Sequence, residues 1–153
     1  MKAIQVLQIP PILLSIIGGL MWLVHSFASV IHIHTGYEYI ASRILLAIAL
    51  VLLGVTVYQF WRKSTTVSPI HIENTNSLIQ SGPFRWSRNP IYVIDVIILL
   101  AWVIWMAEWA NLVFIGLFVY LIQTGQIRRE EKALALRFGK QYTDYCNRVS
   151  RWI

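Results

Sequence analysis

An all-α integral membrane fold with four transmembrane helices follows from three features of the 153-residue chain. Its hydrophobic fraction is 57% and its mean hydropathy +0.59, above the roughly 45–50% apolar content of soluble domains. The apolar residues fall in long runs, which in water would expose large apolar patches and in lipid are simply solvated surface. The charges are segregated. Of the 13 Lys and Arg residues, all but Arg43 lie on one side of a four-span arrangement, the asymmetry that marks the cytoplasmic face. The length fits a single domain over residues 1–153.

The first span is expected over about residues 9–31. Pro10 and Pro11 stand at its start, where a missing N–H does little harm. The second covers about 39–61, with Tyr58 and Trp61 as interfacial aromatics. Residues 62–90 are rich in Ser, Thr, Asn, Gly and Pro and read as a loop with short helices. Pro90 is placed to open the next helix. From 91 to 127 the chain is almost continuously apolar. One helix of that length would measure about 55 Å, too long for one crossing. Glu108 and Asn111 interrupt it, flanked by Trp102, Trp105 and Trp109, so a hairpin is expected with arms 91–107 and 112–127. Beyond it, in residues 128–153, Leu134, Phe138 and Tyr142 recur every four residues. That spacing predicts an amphipathic helix, or helices broken near Gly139.

Both ends and the long loop are thereby placed in the cytoplasm, and almost all polar material with them. No cleavable signal pattern is read at the start. The net charge of +6 does not point to nucleic acid, because the basic residues cluster at the ends of apolar runs, as they do beside anionic headgroups. Cys146 is the single cysteine, so no internal disulfide forms and a reduced thiol is expected. No Cys/His cluster has zinc-like spacing, and no phosphate loop or Ser-His-Asp pattern occurs. The sequence names no oligomeric state.

Two polar stretches are candidates for chemistry. The first, residues 81–92, reads Ser-Gly-Pro-Phe-Arg-Trp-Ser-Arg-Asn-Pro-Ile-Tyr. Gly82 and Pro83 let the backbone turn and leave N–H groups for a ligand, and Arg85 and Arg88 stand three residues apart. The second is Arg128, Arg129, Glu130 and Glu131 at the end of the fourth span. Glu131 shares a helix face with Leu134 and Phe138, which turns it inward. Taken singly, such residues are ordinarily topology anchors or solvated ion pairs. Asp95 lies three residues after Tyr92 on the same helix face. An ionisable group inside a span is a functional candidate by default; it could pair with Arg85 or Arg88, or oppose a ligand's positive charge. His25 reads as a helix-packing hydrogen bonder, His32 and His34 as interfacial residues, and His71 as the better site candidate.

Taken together, the motifs are more specific. An Arg-x-x-Thr-Thr-Val-x-Pro segment (Arg62, Thr65, Thr66, Val67, Pro69) precedes Leu-Ile-x-x-Gly-Pro-Phe-Arg (residues 78–85) and Ser-Arg-Asn-Pro-x-Tyr (residues 87–92). Glu-Glu-x-x-Leu (residues 130–134), Phe-Gly-x-x-Tyr (residues 138–142) and a closing Tyr-x-x-x-Val-x-Arg-Trp-Ile follow. In this order and spacing, over about residues 60–153, the chain resembles the isoprenylcysteine carboxyl methyltransferase and phospholipid methyltransferase superfamily of membrane enzymes. Asn89 stands where prenylcysteine enzymes carry His and bacterial relatives carry Asn, so the likeness is to the bacterial type and implies a bacterial inner membrane.

The resemblance implies S-adenosylmethionine as cofactor, with S-adenosylhomocysteine as product. It implies a cofactor site at the cytoplasmic face built from His71, Leu78, Gly82, Phe84, Arg85, Asn89, Pro90, Tyr92, Arg128, Glu130 and Glu131. Arg88, Glu131 and Asp95 are the candidates for catalysis. The partners expected are the bilayer and a lipophilic acceptor bearing a carboxylate, amine or thiol. Two other readings compete: a nicotinamide-dependent membrane reductase, whose chains are generally longer, and a small non-enzymatic lipid-binding or interaction protein.

Overall fold

The computed structural model describes residues 10–27, 35–62 and 77–153. Among them there are helices and turns but no strand. Helix α1 covers Pro10–Phe27, α2 Glu38–Arg62, α3 Pro90–Met106, α4 Leu112–Ile122, α5 Arg128–Phe138 and α6 Lys140–Cys146.

Three helical stretches are long and apolar enough to cross a membrane: Pro10–Phe27, Glu38–Arg62 and the continuous run Trp109–Phe138. The third expected span, 91–107, is α3, apolar but only 17 residues long. The helices thus fall where the apolar runs put them, with one difference in extent. The return arm does not stop at 127. It passes through a π-helical turn, Gln123–Ile127, directly into α5. The polar residues there do not end the helix because its backbone bonds continue through the wider turn.

The core is a seam between α1, α3 and α4. Leu13, Ile17 and Met21 of α1 recur every four residues and meet Tyr92, Leu99, Val103 and Met106 of α3, with Phe118, Ile122 and Ile127 completing the cluster. Helix α2 packs mainly along α3. Its buried residues Ser42, Ala49 and Thr56 are spaced by seven, a small-residue stripe that lets two backbones approach closely. Its other faces, including Ile44, Leu50, Val51 and Val55, are exposed, as suits a helix solvated by lipid. At the start of α2 the Glu38 carboxylate accepts the Thr35 N–H.

The hairpin forms where Glu108 and Asn111 interrupt the apolar run. Ala107 adopts a left-handed conformation, φ +52°, and a short 3-10 turn, Trp109–Asn111, leads into α4. Both polar residues are fully buried (0% exposed). The Asn111 amide donates to the Met21 carbonyl at 3.1 Å, which pins the tip to α1. At the far end of this arm, Gly139 (φ +49°) separates α5 from α6 and turns the chain back toward the start of α3.

Candidate functional site

The charged ends of α3 and α5 meet around an open cleft of about 580 Å³, lined by Arg88, Arg128, Arg129, Glu131, Lys132, Ala135, Tyr142 and Cys146. Its size lies in the usual range for small-molecule sites, roughly 300–1,000 Å³. Helix α5 contributes its first turns, the segment before α3 contributes Arg88, and α6 closes one wall.

Glu131 is the hub. Arg151 grips it with Nε on Oε1 at 3.0 Å and Nη2 on Oε2 at 2.7 Å. Arg88 Nη1 lies 3.1 Å from Oε1 and also donates to Cys146 Sγ at 2.6 Å. The Glu131 hydrogen bond holds the Arg151 guanidinium still more firmly in its charged form. Arg88 Nε is buried with no partner in the protein, so one donor at the cleft remains to be satisfied. Burial pushes the Tyr145 phenol up to about 12 and raises Tyr142 as well. Both stay neutral at ordinary pH, as hydrogen-bonding groups and not as bases.

Behind the cleft, the Tyr92 hydroxyl donates to Glu130 Oε1 at 2.6 Å, and Gln126 Nε2 donates to the same oxygen at 2.8 Å. The π turn carries Gln126 inward. Residues 87–89 are pinned by the segment after α6. The Arg88 N–H donates to Ser150 O at 3.0 Å, Asn89 Nδ2 to Arg151 O at 3.0 Å and Ser87 Oγ to Arg151 O at 3.3 Å. Pro90 opens α3 as expected.

The expected site residues divide into groups. Arg88, Arg128 and Glu131 line the cleft, with Asn89, Pro90, Tyr92 and Glu130 directly behind it. Gly82 and Phe84 sit against α2. Gly82 has φ +61°, and a Cβ there would stand 2.7 Å from Gln59 Nε2. The Phe84 ring meets Phe60 edge-on at 5.5 Å, and its carbonyl accepts the Tyr145 hydroxyl at 2.7 Å. Leu78 is half-buried just upstream and Arg85 is exposed. His71 lies outside the described residues, as do Thr65, Thr66, Val67, Pro69, His32 and His34. Asp95 is 9% exposed and its Oδ2 has no partner. The ion pair with Arg85 or Arg88 that its position allowed does not form.

Sequence reasoning passed over Arg151, Gln126, Tyr142 and Cys146 as site residues. Arg151 and Tyr142 stood within motifs, but nothing in their spacing tied Arg151 to Glu131, 20 residues away.

A family model described as phospholipid methyltransferase matches residues 37–141, well over half of the chain. The chain belongs to the phospholipid methyltransferase family. The matched stretch runs from the start of α2 into α6 and includes Arg88, Tyr92, Glu130 and Glu131. Arg151 and Trp152 lie beyond it. The chain is also 37% identical over 65 residues, 41% of its length, to an uncharacterized protein of Haemophilus influenzae, all of which is covered. No solved structure matches. For a phospholipid methyltransferase family member, a charged cleft at the ends of apolar helices is a site that both water and lipid can reach.

Proposed function

We propose that the protein transfers a methyl group from S-adenosylmethionine to a lipophilic acceptor at the cytoplasmic face of a bacterial inner membrane. The observation that carries this reading is the Arg88–Glu131–Arg151 cluster, walling a cleft where apolar helices end. Family membership supports the methyltransferase class and a lipid as acceptor.

The cleft residues fit the cofactor. A sulfonium with an α-ammonium calls for negative charge, and its carboxylate for cations and N–H donors. Arg128, Arg129 and Lys132 supply the second. Glu131 is the carboxylate on the wall for the first, and it shares its charge with Arg88 and Arg151. Tyr142, on the same wall, is almost wholly buried. The bound cofactor supplies an activated methyl group.

The chain's residues orient and hold. Alignment of two reactants as a near-attack pair is worth roughly 7–11 kcal/mol. Glu131 is fixed from two sides, so its charge is aimed before any ligand arrives. Asn89, Pro90 and Tyr92 fix the start of α3, which positions Arg88. The exposed apolar faces of the helices admit an acceptor from the bilayer. Asp95, one turn further along α3 from Tyr92, is the acid that would take the proton of an amine acceptor before attack.

The test is incubation of proteoliposomes with methyl-labelled cofactor, followed by separate extraction of lipid and protein. Label is expected in the lipid fraction. Absence of label from both fractions, together with no binding of S-adenosylhomocysteine, sinks the reading.

A further inference from the structure

We infer that Arg151 is a positioning residue for the cofactor cleft, acting through Glu131, and that residues 150–152 form a strap without which the cleft is not assembled. This inference rests on the reading of the cleft as a cofactor site, and it assigns a role to residues beyond the family-matched stretch.

Four observations converge on the strap. Arg151 holds both oxygens of Glu131, at 3.0 and 2.7 Å. Its own carbonyl accepts from Asn89 Nδ2 at 3.0 Å and Ser87 Oγ at 3.3 Å. The Ser150 carbonyl accepts the Arg88 N–H at 3.0 Å. Trp152 Nε1 donates to Gln123 Oε1 at 2.9 Å. One short segment thus joins the approach to α3, the π turn and the first turn of α5, the first and last of which line the cleft.

A planar two-point grip fixes the direction of a carboxylate as well as its location, which one ammonium cannot do. Without Arg151, Glu131 keeps only Arg88 and is free to rotate about that single contact. Arg88 would in turn be drawn from its place beside Cys146. Small displacements of a ligand-holding group are costly, because the geometry of the bound reactants carries much of the catalysis.

The test uses the full chain in detergent or nanodiscs, with Arg151→Gln, Arg151→Lys, Glu131→Gln and the double variant Arg151→Gln/Glu131→Gln. Arg151→Gln is expected to weaken S-adenosylhomocysteine binding about tenfold or more, with Arg151→Lys intermediate. In the Glu131→Gln background, Arg151→Gln should add little, since both changes break one interaction. Cys146 is the only cysteine, so its maleimide labelling rate reads the cleft without any cofactor, and Arg151→Gln should raise it several-fold. Unchanged binding in Arg151→Gln overturns the inference, and so do fully additive effects, which would mark Arg151 as a general stabiliser. If the parent protein binds no S-adenosylhomocysteine, the functional reading fails. The strap then stands or falls on the Cys146 labelling rate alone, and an unchanged rate rejects it.

Discussion

The Tyr92 hydroxyl donates to Glu130 Oε1 at 2.6 Å, joining the first turn of α3 to the first turn of α5 across 38 residues of hairpin. Glu130 is enclosed behind the cleft, so this contact sets the spacing of the two helices that carry Arg88 and Glu131. Tyr92→Phe removes the donor and leaves the half-buried Glu130 carboxylate with Gln126 as its remaining hydrogen-bond donor. A loss of about 1–3 kcal/mol is expected for a hydrogen bond to a charged group. Thermal unfolding in detergent should show it as a lowered midpoint, accompanied by weaker S-adenosylhomocysteine binding. An unchanged midpoint would separate the two helices energetically.

Arg88→Ala and Glu131→Ala each remove one member of the ion pair on the wall of the cleft. Both variants are expected to insert in the membrane normally and to bind S-adenosylhomocysteine at least tenfold more weakly, a difference of about 1.4 kcal/mol. Titration calorimetry measures this directly. Binding at the parent's strength in both variants would make these side chains anchors and displace the site.

Asp95→Asn keeps the shape of a buried carboxylate whose Oδ2 has no partner and takes away its charge. Because an unpaired charge is costly to bury, thermal stability should hold or rise. Methyl transfer should fall nonetheless. A variant that is both more stable and fully active would leave Asp95 as a tolerated interfacial acid.

Gly82→Ala tests the glycine's job. Its φ of +61° is unfavourable for any residue with a Cβ, and the new atom would crowd Gln59. A stability loss of about 1–2 kcal/mol is expected from the left-handed backbone alone, with cofactor affinity little changed in the folded fraction. A large affinity loss without destabilisation would instead place the Gly82 N–H at the ligand.

Single cysteines introduced at Ser77 and at Thr35, in a Cys146→Ser background, should label from opposite sides of sealed vesicles. The one-sided distribution of Lys and Arg motivates this orientation. Labelling of both from the same side rejects it.

The helices were legible because apolar runs are long and their interruptions few. Glu108 and Asn111 marked the hairpin by being the polar residues near the middle of a 37-residue, largely apolar stretch, and Gly139 marked the break before α6. What stayed hidden depends on distance through space. Arg151 meets Glu131 only because the chain reverses at Gly139. Gly82 announced a special backbone conformation, but not that Gln59 of α2 would be what it approaches. The π turn left no sequence mark, since Gln, Thr, Gly, Gln and Ile are ordinary residues for a helix end. Asp95 was recognisable as unusual from its place in a span, whereas its lack of an arginine partner is a matter of side-chain geometry.

The π turn makes the site depend on counting. Each residue of an α-helix advances the direction of the next by about 100°, and a π turn absorbs one extra residue within its coil. Glu130 and Glu131 are neighbours with different addresses, one toward Tyr92 and the other toward the two arginines. Deleting a single residue between Gln123 and Ile127 would let the turn tighten to α geometry and leave both acids on their present faces. Adding one residue after Ile127, where no wider turn takes it up, would rotate everything beyond it by about 100°. The two acids would then be misdelivered although every side chain of the cleft were still present. A one-codon deletion within the π turn is therefore expected to be tolerated, and a one-codon insertion just after it to abolish cofactor binding.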